Sequence, residues 1–157
     1  MKLTPELKKI EENMKPGVIS LDGFLGSDSR NLLDILTEDD AAVRRLNRTH
    51  RDIAARMKQL RDAGRKGLGE FVSVSPHYDV RVEDVRGKIP SPFGGPGVFP
   101  KTNTVIHNKK LDKTVIFSDL QIHMIEVNGF YEGKGCRYRL EPAELIEVLE
   151  IPESEES

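Results

Sequence analysis

The chain has 157 residues, 37% of them apolar and 32% charged, with a net charge of −2 and one cysteine. That length suits one domain, which buries roughly 70% of its unfolded surface and folds without disulfide or metal, and the composition excludes global disorder. No apolar run approaches the ~18 residues of a membrane span, the polar start MKLTPELKKIEENMK lacks the apolar region of a signal peptide, and the lone Cys136 suits a reducing compartment, so the chain reads as cytoplasmic with no membrane partner.

Thr4-Pro5-Glu6 is a helix start, with a capping hydroxyl followed by proline in the first turn. Leu7, Ile10 and Met14 recur at helical spacing until Pro16-Gly17 stops the run. Val18 to Gly26 reads as irregular or as a short strand. Leu32, Leu33, Ile35 and Leu36 pack one helix, and Thr37-Glu-Asp-Asp40 is positioned to cap a second that buries Val43 and Leu46. Thr49 heads a capping box with Asp52 in the acid position. A helix from about Arg51 to Ala63 follows, with Ile53, Met57 and Leu60 on its apolar face and Gly64 as its terminator.

After Gly69 the period changes from helical to alternating. Phe71 to Ser75 and Tyr78 to Val85 read as two strands of a hairpin around Pro76-His77. KIPSPFGGPGVFPKTN is a proline- and glycine-rich loop of the length at which loops tend to be functional or mobile. Thr104 to His107 and Thr114 to Phe117 form a second hairpin. Pro142 opens a final helix with Leu145, Ile146 and Leu149 as its apolar stripe. Helices, then hairpins, then helices predict an α+β fold with a small antiparallel sheet. We expect one domain over 1–152 and a frayed acidic tail over 153–157.

SDLQIHMIEVNGFYEGKG, from Ser118 to Gly135, is the richest candidate for a site. Ser118 or Asp119 caps and Gly129 terminates, which favours a helix with Leu120, Met124, Val127 and Tyr131 on one face. A strand reading separates the polar residues. Only the helix aligns Asp119, His123 and Glu126 at i, i+4, i+7, where two carboxylates and an imidazole have the chemistry for a divalent metal or an acid–base pair. Three ligands on one helix rarely converge on one ion, so His77 or His107 from the strands would have to help. No HExxH, CxxC or other complete catalytic motif is present, and the same three residues equally suit a solvated helix face.

Gly129 to Gly135 fails as a phosphate loop, being one residue short and carrying Gly135 in place of the hydroxyl residue. Gly133, Lys134, Gly135, Arg137 and Arg139 nevertheless put backbone amides and cations together, as an anion site requires. Those cations would also lower the Cys136 thiol, yet no motif supplies a base, and a bystander thiol is the better reading.

From Val43 to Lys66 there are nine Lys or Arg against Asp52 and Asp62, while Glu141 to Ser157 holds seven Glu and no base. Such asymmetry suits a nucleic-acid surface or two solvated faces that attract each other. IAARMKQLRDAG before strands is similar to the recognition helix and wing of winged-helix regulators, over about a dozen residues and without the preceding helix–turn spacing. The phrases LDGFLGSDSRNLLDIL, THRDIAARMKQL, FGGPGVFPKTN and DLQIHMIEVNGFYEGKG…YRLEP together resemble a group of small bacterial proteins known as hypothetical cytosolic proteins. That resemblance implies a bacterial, cytoplasmic protein and transfers no activity and no site residue. The combined expectation is a binding or regulatory module that uses the loops after Pro90 and Gly129 for an anionic small molecule or a protein partner. A metal-assisted or acid–base enzyme on Asp119, His123 and Glu126, and nucleic-acid binding through Arg44–Lys66, are the alternatives.

Overall fold

Thr4 Oγ1 accepts the Leu7 N–H at 3.2 Å and Pro5 takes the first helical position, so α1 (Pro5–Asn13) begins where its capping chemistry predicts. The computed structural model describes residues 4–154. The helices α2 (Leu32–Arg45) and α3 (His50–Gly64) follow, then the strands β1 (Val72–Val74), β2 (Tyr78–Ile89), β3 (Phe99–Asn108) and β4 (Lys113–Ser118), then α4 (Asp119–Asn128) and α5 (Pro142–Val148). The fold is α+β, with the strands joined in chain order β1-β2-β3-β4 as one antiparallel sheet. No helix among the described residues is long and apolar enough to cross a membrane.

Alternation decides which face of the sheet is covered. Tyr78, Val80 and Val82 on β2, Ile106 on β3, and Val115 and Phe117 on β4 are buried, while the residues alternating with them point outward. Helices α3, α4 and α5 close this inner face through Ile53, Met57, Leu60, Ile122, Ile125, Leu145 and Leu149. A second cluster forms on the other side of α4, where Leu120 and Met124 meet Met14, Phe24, Leu32, Ile35 and Phe130. Helix α4 therefore buries apolar residues on two sides, because it separates two cores, and keeps Asp119, His123 and Glu126 between them half-buried. Only Val127, expected on its packed face, is exposed.

Several local expectations change. The predicted pair of helices after Asn31 is one helix. Asn31 caps α2, and the Thr37 hydroxyl donates to the Leu33 carbonyl at 2.7 Å instead of capping a new start, which leaves Leu46 at the exposed C-terminus. The long proline–glycine loop shrinks at both ends, because β2 runs on to Ile89 and β3 begins at Phe99, with a bulge between Val85 and Lys88 where Gly87 has φ +116°. Arg137 and Tyr138 form a turn, and no strand runs through 136–140. Gly64 does not end α3 by a left-handed turn, since its own φ is −71°. It is glycine because Val80 packs where a Cβ would stand. In the expected tail, the Ser154 N–H bonds the Asn47 carbonyl at 2.8 Å and Glu153 lies 3.9 Å from Arg48, while 155–157 lie outside the described residues.

Candidate functional site

The helix carrying Asp119, His123 and Glu126 forms as predicted. Ser118 and Gln121 make a reciprocal capping box at its start, and Gly129 ends it at φ +64°. The three side chains are not brought together around an empty centre. Asp119 accepts from Arg61 at 3.2 Å, and Glu126 accepts from Lys58 Nζ at 2.8 Å and 2.9 Å, so α3 neutralises both carboxylates. His123 stacks on Phe99, ring centroids 4.4 Å apart. His77 bonds Glu150 at 2.8 Å, and His107 bonds Thr114 at 2.8 Å. Among the described residues no group of three His, Cys, Asp or Glu is arranged to hold a metal ion.

The turn after α4 is also differently employed. Arg139 is buried and grips Asp39 with both terminal nitrogens at 2.8 Å and 3.0 Å, while bonding the Glu132 carbonyl and Glu141. Lys134 Nζ reaches Glu38 at 3.2 Å, and its N–H donates to Asp28 at 2.9 Å. The Arg30 guanidinium beside Asp28 holds that carboxyl well below the usual carboxylate range. Gly133 and Gly135 are small because the chain at 25–27 lies directly on them: a Cβ at Gly133 would strike the Leu25 carbonyl, and one at Gly135 the Ser27 side chain. The Gly133 N–H completes the seam to the Phe24 carbonyl at 2.9 Å. The turn is thus a backbone-to-backbone joint whose cations Lys134 and Arg139 are ion-paired, leaving Arg137 exposed over the Tyr138 ring. Burial pushes the Cys136 thiol up to about 11, opposite to the direction its basic neighbours suggested.

The basic run is spent in the same way. Arg48 and Arg56 donate to the Ile151 and Leu149 carbonyls at 2.8 Å each, Arg44 pairs with Asp40 at 3.0 Å, and Lys58 and Arg61 hold α4. Arg45, Arg51 and Lys66 have no such partner among the described residues. His50 bridges Tyr131 Oη at 2.8 Å and Asp40 at 3.0 Å, so both ring nitrogens are engaged in tying α2, α3 and the post-α4 turn together. Gly129 has no side chain because that ring lies where its Cβ would be.

A polar group that the sequence did not single out stands apart. Glu132 is only 4% exposed and takes a left-handed φ of +72°, a conformation non-glycine residues adopt at a cost of about 1–2 kcal/mol. Its Oε2 accepts from Gln121 Nε2 at 2.6 Å, and its Oε1 accepts from Cys136 Sγ at 3.2 Å. Burial pushes the carboxyl up to about 7, and neither neighbour is a cation. Glu132 and Gln121 line a cleft of about 360 Å³ whose walls are otherwise mainly apolar. Leu21, Val85, Ile116 and Tyr138, all large and exposed, line it as well, as do Lys101 and Asp22. Exposed apolar side chains gathered around one concavity, with a perturbed carboxyl inside it, are the physical signature of a binding site. Each carboxyl oxygen keeps acceptor capacity beyond its present partner, and the protonated form adds a donor. Comparison of the chain with family models, with curated proteins and with solved structures finds no match.

Proposed function

We propose that this chain is a small-molecule binding module whose ligand occupies the cleft over Glu132 and combines an apolar body with an amine or another N–H donor. The observation that carries the reading is the Glu132 carboxyl, buried without a cation in a cleft rimmed by exposed apolar side chains. An isolated buried carboxylate is costly. A ligand that brings its own positive charge or N–H group offsets that cost at the moment of binding, which gives the site selectivity as well as affinity. The anionic ligand expected at Gly133, Lys134, Gly135, Arg137 and Arg139 is the weaker reading, because Lys134 and Arg139 already have carboxylate partners and Gly133 and Gly135 serve a seam.

The test is a thermal-shift series with phenylalkyl amines against phenylalkyl carboxylates of equal chain length, on the wild type and on Glu132→Gln. Amines stabilise the wild type, by about 2.7 kcal/mol at a hundredfold excess over Kd, and the carboxylates do not. Glu132→Gln removes the difference. Equal shifts from both series, or shifts that survive in Glu132→Gln, would refute the assignment.

A further inference from the structure

The β3 strand fixes which backbone groups of β4 are free. The Lys109 N–H, just past the end of β3, donates to the His77 carbonyl next to β2, so odd-numbered residues of β3 direct their backbone groups toward β2. The even-numbered ones therefore face β4, where Thr104, Ile106 and Asn108 oppose Phe117, Val115 and Lys113. Thr114, Ile116 and Ser118 are left with N–H and C=O directed away from the sheet. The Ser118 N–H agrees with this phase, since it donates to Gln121 Oε1 at 2.9 Å. Thr114 and Ile116 have no backbone partner there among the described residues.

Those free groups border a slot of about 400 Å³ between β4 and the chain from Arg137 to Leu145. Its two ends carry opposite charge. Tyr138, whose carbonyl is held by Gln121 at 2.7 Å, marks the Ser118 end, and the exposed Arg137 guanidinium lies over its ring at 5.3 Å without a carboxylate partner. At the Lys113 end Glu147 pairs with Lys113, while Glu144, one turn earlier on α5, has no ion pair. Ile116 is 57% exposed, and Tyr138 lines the slot with it. β4 carries no proline or bulge, and the chain from Arg137 to Leu145 flanks this edge without bonding to its backbone, so the free groups remain a template for another strand.

We infer that the slot beside β4 is a docking site for an extended segment of a partner protein. The segment adds as a fifth strand antiparallel to β4, with acidic side chains at its N-terminal end and basic ones at its C-terminal end. Antiparallel addition continues the pattern of the sheet and is the more stable pairing per residue. It sets the segment's N-terminus beside Arg137 and its C-terminus beside Glu144, which fixes the charge order. A second copy of this chain is the wrong occupant. Each copy carries the Arg137–Leu140 segment beside its own edge, so two folded copies meet steric bulk there that a single extended segment does not. The inference is independent of the ligand assigned to Glu132, although the two sites share Ile116 and Tyr138.

The probe is a fluorescent peptide of two aspartates, alternating valine and threonine, and two lysines, read by anisotropy at low salt. Wild-type protein binds it about fivefold to tenfold more tightly than the peptide with the charges exchanged, the factor expected for two end pairs. N-methylation at alternate peptide residues weakens binding by a similar factor, one hydrogen bond's worth or more. Ile116→Pro removes a donor that faces the slot and no ladder bond, so it weakens binding while the circular dichroism holds. Arg137→Glu reverses the preference at that end, and Glu132→Gln leaves binding unchanged. No binding of either peptide at millimolar concentration overturns the inference. So does indifference to charge order and N-methylation, or a wild-type dimer that Ile116→Pro dissolves.

Discussion

Replacing Glu132 by glutamine tests the burial of its carboxyl without any ligand. The ordinary carboxyl value of 4.5 is pushed up to about 7 in the folded protein, chiefly by desolvation. Between those two pH values the native carboxyl is protonated while the unfolded one has ionised, so the folded state binds more protons. Stability therefore falls as pH rises through this window and levels off above it. Integrated across the window, the loss is roughly 3 kcal/mol, and Glu132 is too deeply buried for solvent to screen much of it. Glutamine keeps a carbonyl acceptor for Gln121 and has no proton to lose. Urea denaturation of both proteins at several pH values from 5 to 8 supplies the measurement. The glutamine variant gains on the wild type as pH rises, by up to roughly 3 kcal/mol, or about 10 °C in Tm for a chain of this size. Any constant penalty from amide packing against Cys136 offsets every pH point equally and leaves the slope intact. A difference that does not change with pH, or that shrinks as pH rises, would refute the claim that this carboxyl is desolvated and uncompensated.

Arg139→Ala leaves Asp39 buried and unpaired and should cost about 3–5 kcal/mol by chemical denaturation. The Asp39→Ala, Arg139→Ala double variant should lose clearly less than the two single losses added, and full additivity would contradict the pairing. Gly64→Ala, which elsewhere in a helix stabilises by up to about 1 kcal/mol, should destabilise by about 1–3 kcal/mol because the new methyl meets Val80. A rise in Tm would mean α3 and β2 are less tightly packed than described. Asn108→Ala deletes the donor to the Val148 carbonyl at 2.9 Å and the acceptor for the Lys110 and Leu111 N–H groups. Asn108 itself is fully buried, and the loss should be about 2–3 kcal/mol with faster hydrogen exchange across the β3–β4 turn.

Helix starts and the order of elements were legible because they depend on neighbours in sequence. Thr4, Thr49 and Ser118 cap the helices they were expected to cap, and the alternation of Tyr78–Val82 gave the inner face of the sheet. The misplaced boundary within α2 shows what local signals conceal. Thr37-Glu-Asp-Asp40 has the composition of a cap, yet Leu32, Ile35, Asp39 and Val43 keep one helical phase and all are buried. Splitting the helix hid the one acid on its apolar stripe, and with it the partner of Arg139. Glu132 had no comparable signal. Its burial results from the 24–28 segment crossing the post-α4 turn and from Gln121 reaching over from the first turn of α4, contacts that only tertiary structure brings about.

The contrast between the residues the sequence emphasised and those the fold isolates follows from electrostatics. A chain with Lys and Arg gathered in one stretch and Asp and Glu elsewhere gains by bringing the two together. Arg48 and the cations of α3 accordingly settle on Asp119, Glu126 and the carbonyls of the C-terminal segment. Dense clusters of charge are the groups most readily neutralised within the fold, so their density predicts ion pairs better than it predicts ligands. A group remains available to an outside partner when the fold supplies no counter-charge. Glu132 meets that condition inside its cleft, and the exposed Arg137 guanidinium meets it at one end of the β4 slot. The two proposed sites therefore rest on unpaired charges beside exposed apolar side chains, and not on the conspicuous runs.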